Sequence, residues 1–162
     1  KAKRSLTAKE VWDRKTEAEK QDIISKGSEA IRKASKEGSK LEKFILSELT
    51  KRNHKVQFHK EHWLKNQNLE TDLFVEDLRT VIEVDGPSHF EPVWGEENLK
   101  KNQRSDLEKT GLVLAQGLVL IRIKQTKRIS NRYLRSVLEK LLEVIGNIEE
   151  KFPEENKRYI EI

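Results

Sequence analysis

At Lys55 the hydrophobic period of the chain changes from helical spacing to alternation, and that change dictates the class of fold. Before it, Leu41, Phe44, Ile45, Leu46 and Leu49 recur at the three- and four-residue spacing of one helix face. After it, VQFHKE (Val56–Glu61), ETDLFV (Glu70–Val75) and RTVIEVD (Arg79–Asp85) alternate as half-buried strands do. Glu76-Asp77 is a short connection suited to a hairpin, and Gly86-Pro87 stops the third run sharply. A charged helix is expected from Glu96 to about Leu114, with Leu99, Leu107, Leu112 and Val113 inward and Gly111 as its weak point. LVLIRIK (Leu118–Lys124) has the apolar character of an interior strand. Ser130 to Ile148 then reads as an amphipathic helix carrying Leu134, Val137, Leu138, Leu141, Leu142 and Ile145.

The order helix, three strands, helix, strand, helix predicts an α/β fold. Its mixed central sheet has about four strands, with helices on both faces. Two further helices precede it, opened by Thr7 and Thr16. Gly38 closes the second, and Ser39 with Glu42 three residues on has the spacing of a capping box. The expected organisation is a basic helical extension over 1–38, an α/β domain over 39–149 and a charged tail over 150–162.

Composition narrows the function. With 33 basic against 28 acidic residues the net charge is +5, which favours an anionic partner. Cysteine is absent, so disulfides, thiol nucleophiles and cysteine-held zinc are excluded, and no zinc is expected. No apolar run approaches the roughly 18 residues of a membrane span. No signal-peptide h-region occurs near the start, so an intracellular, cytoplasmic protein without membrane contact is the expectation.

The chemistry concentrates in VIEVDGPSHF (Val81–Phe90). Strand alternation puts Val81, Glu83 and Asp85 on one face and Ile82 and Val84 on the other. Asp72 lies on the preceding strand. Carboxylates of Asp72 and Glu83 side by side would make a hard-oxygen site suited to Mg²⁺ or Mn²⁺, with Asp85 sharing the role and the Val84 backbone carbonyl adding an oxygen. The same alternation is also compatible with carboxylates that simply face solvent on a half-exposed sheet. The Gly-Pro turn leaves Asp85 and then His89 at the strand's mouth.

Asp72 followed 11 positions later by Glu83-Val84-Asp85 resembles the signature of the PD-(D/E)XK nucleases, with Asp85 where that superfamily usually has lysine. The resemblance sharpens toward the very-short-patch-repair-like branch, including homing endonucleases described by an E-D-x-H-D motif. SKLEKFI offers Glu42 for its glutamate, LETDLFV offers Asp72, the glycine turn offers His89, and KNQRSDLEK offers Asp106. The match runs from about Ser39 to Lys124. It implies a metal-dependent DNA endonuclease of phage or mobile-intron type, with Mg²⁺ as cofactor and Mn²⁺ as substitute. Asp72, Glu83 and Asp85 are then the metal ligands. His89, whose ordinary pKa suits proton transfer near neutrality, becomes the base or water-positioning group, oriented by Asp106. Glu42 fits both the family position and the capping box. The repair enzymes' zinc cysteines are missing here, and the lysine's task passes to His89 or to Lys101.

Double-stranded DNA is the implied partner. Cleaving both strands calls for a homodimer or for two sequential nicks. Lys100, Lys101 and Arg104, beside His89, and Lys127, Arg128, Arg132 and Arg135, after the last strand, are candidate phosphate contacts. A solvated helix face is the alternative reading. Lys1–Arg4, with Lys26, Arg32, Lys33 and Lys36, loosely resembles the small helical DNA-contacting modules of mobile-intron nucleases. Trp63 and Trp94 are candidates to stack a base, whereas Phe90 reads as core and His54, His59 and His62 as surface or phosphate-proximal. EVDGPSHF is also the wording of RAP domains, so an RNA-binding or RNA-cleaving module is the alternative function. An assembly protein that self-associates through the C-terminal helix is a third.

Overall fold

The computed structural model describes residues 7–61 and 69–162, without the side chains of Ala8, Ser28, Ala30 and 31–36. The expectations for Lys1–Arg4, His62, Trp63 and the side chains of Arg32, Lys33 and Lys36 lie outside the described residues. The chain divides into two units, Lys1–Ser39 and Lys40–Ile162.

In the first unit α1 (Ala8–Asp13) and α2 (Glu17–Glu37) begin in the same way. The Thr7 hydroxyl accepts the Glu10 N–H at 3.3 Å, and the Glu10 carboxylate accepts the Thr7 N–H at 2.8 Å. Thr16 and Glu19 repeat the arrangement at 3.2 and 2.7 Å. Each box satisfies two N–H groups that a helix start otherwise leaves unpaired, a gain of about 1 kcal/mol. That gain is comparable to the cost of Gly27, and α2 runs through the glycine unbroken.

In the second unit α3 (Lys40–Lys51) leads into β1 (Val56–Lys60), β2 (Thr71–Val75) and β3 (Thr80–Asp85). A 3₁₀ turn at Pro87–His89 follows, then α4 (Glu96–Ala115), β4 (Val119–Lys124), α5 (Asn131–Glu150) and β5 (Tyr159–Glu161). The sheet order is β1-β2-β3-β4-β5, with the first three strands antiparallel and β3, β4 and β5 parallel. The fold is therefore α/β with a five-stranded mixed sheet, one strand more than expected. The extra strand comes from the segment read as a charged tail. Tyr159–Glu161 pairs with Leu120–Arg122, a match too short to show as alternation. Gly111 does not interrupt α4.

One face of the sheet is mainly apolar, with the buried Thr71 and Thr80 among its residues. Leu73, Val75, Ile82, Val119, Ile121 and Ile123 pack there against Leu41, Ile45 and Leu49 of α3 and Leu134, Val137, Leu141 and Ile145 of α5. The face covered by α4 is apolar at one end only, where Val81 and Leu120 meet Val113 and Leu118. Further toward the other end of the strands the same face carries Asp72, Glu83, Asp85 and Arg122. Because α4 and α5 cover opposite faces while the sheet grows in one direction, the two parallel crossovers have opposite hands. One of them thus departs from the usual right-handed rule. Among the described residues no helix is long and apolar enough to cross a membrane.

Candidate metal and proton-transfer site

The ladder between β2 and β3 pairs Val75 with Thr80, Phe74 with Val81 and Leu73 with Ile82, and stops there. Beyond it carboxylates take over the strands' free N–H groups. Asp72 Oδ2 accepts the Val84 N–H at 2.7 Å, and Glu83 Oε1 accepts the Asp72 N–H at 3.3 Å. The two acids thus cross between splayed strands, each pinned by the other strand's backbone. A residue's carbonyl and N–H face the same neighbouring strand, so the Val84 carbonyl also looks toward β2.

Three residues from neighbouring elements complete this end of the sheet. Glu42, buried in the first turn of α3, places Oε2 2.9 Å from His59 Nε2. The other imidazole nitrogen, Nδ1, lies 3.0 Å from Glu70 Oε1. His59 has a left-handed backbone (φ 48°), a sparsely populated conformation for a non-glycine residue and one typical of functional sites. Ligating atoms of Glu42, His59 and Asp72 all lie within 4.8 Å of one another. Lys109 of α4 donates to Glu83 Oε2 at 2.6 Å.

These distances leave the carboxylates in excess. Burial, then the neighbouring Glu42, pushes the Asp72 carboxyl up to about 6. Burial, then Asp72, pushes Glu83 up to about 8. Burial alone would lower the Lys109 ammonium, but Glu83 and then Asp72 outweigh it and hold its pKa above the ordinary lysine value. Glu42, Asp72 and Glu83 thus crowd an end of the sheet whose buried ammonium, Lys109, is bonded to Glu83, and protons on Asp72 and Glu83 make up the balance. Hard oxygens with one imidazole are a donor set of the kind that suits a divalent cation, and the excess negative charge would favour one.

The second cluster sits at the mouth of β3. Asp85 is not beside Asp72 as expected: both of its oxygens accept from Arg122, from Nε and Nη2 at 2.7 Å each. The same guanidinium reaches Asp106 Oδ1 at 3.1 Å. His89 Nδ1 lies 2.8 Å from Asp106 Oδ2 and 3.7 Å from Asp85 Oδ1. The Asp106 hydrogen bond raises the His89 pKa above the ordinary imidazole value against the pull of burial. Burial pushes Asp106 up, but its bond to His89 prevails and holds the carboxyl below its ordinary value. With Nδ1 engaged, Nε2 is the nitrogen left for an open cleft of about 400 Å³ lined by His89, Asp106 and Arg122.

The remaining expectations divide. Lys101 is exposed and stays outside both clusters, so the ammonium beside Glu83 belongs to Lys109 instead. Lys100, Arg104, Lys127, Arg128, Arg132 and Arg135 are exposed as well, available to phosphates. Trp94 is 61% exposed, and Phe90, expected in the core, is also exposed. Leu107, expected inward, is 74% exposed beside the cleft. His54 is spent on Asp77, 2.8 Å away.

Three site residues lie beyond the expectations from sequence. Arg122 stands out as a charge inside an apolar strand and Lys109 as the residue three beyond Asp106 on one helix face, but neither pattern names a partner, and nothing in the sequence brings His59 to Glu42 and Asp72. No family model matches the chain, and no curated protein matches it.

The carboxylate cluster predicts a coupling between pH and metal. Asp72 and Glu83 bind more protons in the folded chain than in the unfolded one between about pH 4 and pH 8, so their contribution to metal-free stability falls as pH rises through that window. A Mn²⁺ ion held by the cluster would compete with those protons. At pH 8 a hundredfold excess over Kd is expected to add about 2.7 kcal/mol of stability, visible as a rise in Tm, and at pH 5 the rise disappears. An equal effect at both pH values would place the ion elsewhere.

Proposed function

We propose that the protein is a metal-dependent endonuclease that hydrolyses DNA phosphodiester bonds, of the very-short-patch-repair-like PD-(D/E)XK type. The observation that carries this reading is the splayed β2–β3 end. There Glu42, His59 and Asp72 gather, with Glu83 bonded to the Asp72 N–H and to Lys109, and a His89–Asp106 pair lies beyond them on an open cleft.

Glu42, His59 and Asp72, whose ligating atoms lie within 4.8 Å of one another, would hold the Mg²⁺ or Mn²⁺, and Glu83 would join them only by giving up its bond to Lys109 or to the Asp72 N–H. Asp85 drops out of that set because Arg122 occupies both of its oxygens and ties it to the second cluster. When bound, the ion supplies positive charge to the phosphate oxygens as negative charge develops on them. His89 Nε2 takes a proton from the attacking water as its oxygen bonds to phosphorus and the ester P–O bond breaks. The leaving oxygen is then protonated from solvent. Asp106 fixes the imidazole tautomer and supports the imidazolium, as carboxylates do in other hydrolytic pairs. Lys109 donates to Glu83, which aims the carboxylate and lowers its proton affinity against burial.

A base must be unprotonated to act. The raised His89 pKa therefore puts the rising limb of the rate profile above about pH 6.5, the ordinary imidazole value. Asp106→Asn is expected to slow cleavage by roughly 10²- to 10⁴-fold and to move that limb to lower pH. Cleavage of supercoiled plasmid is the test, with Mg²⁺, Mn²⁺, Ca²⁺ or EDTA, for wild type, Asp106→Asn and His89→Ala. Nicking or linearisation that needs Mg²⁺ or Mn²⁺ and is lost in His89→Ala supports the reading. Cleavage unaffected by His89→Ala removes His89 as the base. Metal-independent binding with preference for RNA would favour the RAP-like alternative.

A further inference from the structure

A second cleft adjoins the first and shares Lys124 and Glu161 with it. It has a volume of about 340 Å³ and is walled by the β4–α5 connection, through Thr126 and Lys127, and by α5, through Tyr133, Ser136 and Lys140. The α5 residues follow one another at three- and four-residue spacing and so share a helix face. Lys124 is neutralised by Glu161 at 2.6 Å, and that carboxylate also accepts the Tyr159 hydroxyl at 2.5 Å. Glu161 is the acidic side chain of the wall, and it is already committed. Lys127 and Lys140 have no carboxylate partner among the described residues. The wall therefore presents two uncompensated ammonium groups together with hydroxyls of Thr126 and Ser136, a donor-rich surface suited to an oxyanion.

The shared wall sets the identity of that oxyanion. A nucleic-acid strand carries one charge per about 3.4 Å of helix axis, so a strand with one phosphate in the His89 cleft brings a nearby phosphate to the next. We propose that the second cleft is a phosphate anchor for the strand being cut, with Lys127 and Lys140 as its charged contacts and Ser136 and Thr126 as hydroxyl donors. This rests on the nuclease reading for the identity of the strand, but not for the binding itself.

The test is fluorescence anisotropy of a labelled 20-base-pair duplex in Ca²⁺, titrated between 50 and 200 mM salt. Lys127→Ala/Lys140→Ala is expected to weaken binding about tenfold and to lower the slope of log K against log salt by about 1 to 2, as for the loss of one or two phosphate contacts. Ser136→Asp, which adds a charge without removing a lysine, should weaken binding without changing Tm. Lys151→Ala, about 16 Å along α5 from Lys140, should leave the slope alone. An unchanged slope in the double variant overturns the anchor, as does an equal loss in Lys151→Ala, which would signal diffuse surface charge. Salt-sensitive wild-type binding without cleavage in Mg²⁺ or Mn²⁺ would remove the nuclease reading and leave the anchor standing. Absence of wild-type binding would end both.

Discussion

Asp72→Asn is expected to make the metal-free protein more stable at pH 8 and, in the same stroke, to abolish its metal-dependent cleavage. The Asp72 carboxyl is pushed up to about 6 by burial and by Glu42, so at pH 8 it is ionised at a cost. A shift of about two units corresponds to roughly 3 kcal/mol carried by the folded state. Asparagine keeps an oxygen for the Val84 N–H, so the strand contact survives, while the amide nitrogen can donate to the Glu42 carboxylate. Glu83, relieved of a like charge, also ionises more easily. The gain should appear as a rise of several degrees in Tm. The Mn²⁺-induced rise in Tm should vanish, and cleavage should fall by more than the roughly 10- to 100-fold that loss of an outer-shell partner costs. A variant with lower metal-free stability, or with an intact response to Mn²⁺, would mean that Asp72 is a structural carboxylate. Gained stability with lost activity is the signature of a site whose charges are arranged for a ligand.

Arg122→Met is expected to have the largest effect on stability. Arg122 is 7% exposed and is bonded to Asp85, itself 3% exposed, and to Asp106. Its pKa is held above the ordinary guanidinium value, with burial as the largest influence and opposed to that direction, because the two carboxylates outweigh it. Removing the guanidinium strands two buried or half-buried negative charges, and breaking such a pair from one side costs about 3–5 kcal/mol. Urea denaturation should report that loss at pH 8. Arg122→Met/Asp85→Asn should recover a substantial part of it, because the second change removes the stranded charge rather than adding a contact. Full stability in the single variant would show that water reaches Asp85 and that the pair is not structural. The same comparison separates roles at the cleft: Arg122 opposes the protonation of His89, so its loss should also move the rate limb to higher pH.

Alternation along VIEVD assigned Glu83 and Asp85 to one face, and the glycine turn assigned His89 to the strand's mouth. Both follow from the backbone over a few residues, and both hold in the structure. Asp106 also stands against His89, a pairing that the family resemblance implies and that spacing alone does not. Alternation is silent on partners, and for that reason the two carboxylates of EVD were read as one site. They point the same way yet sit two residues apart along the strand, where different neighbours meet them. Glu83 stands opposite Arg122 in the ladder but bonds Lys109, and Asp85 stands opposite Lys124 but bonds Arg122. Likewise Leu107 was assigned inward by its character, whereas α4 crosses the charged end of the sheet and leaves that turn facing solvent.

Local sequence determined the elements, their order and the direction in which each charged strand residue points, because hydrophobic period and turn chemistry act within a few residues of the chain. Tertiary structure alone decided that Tyr159–Glu161 closes the sheet, that Asp85 belongs to Arg122, and that His59 and Lys109 join the carboxylates. Those outcomes rest on packing between segments far apart in sequence. The energy of a buried charge depends on what lies within a few ångströms of it, not on what precedes it in the chain.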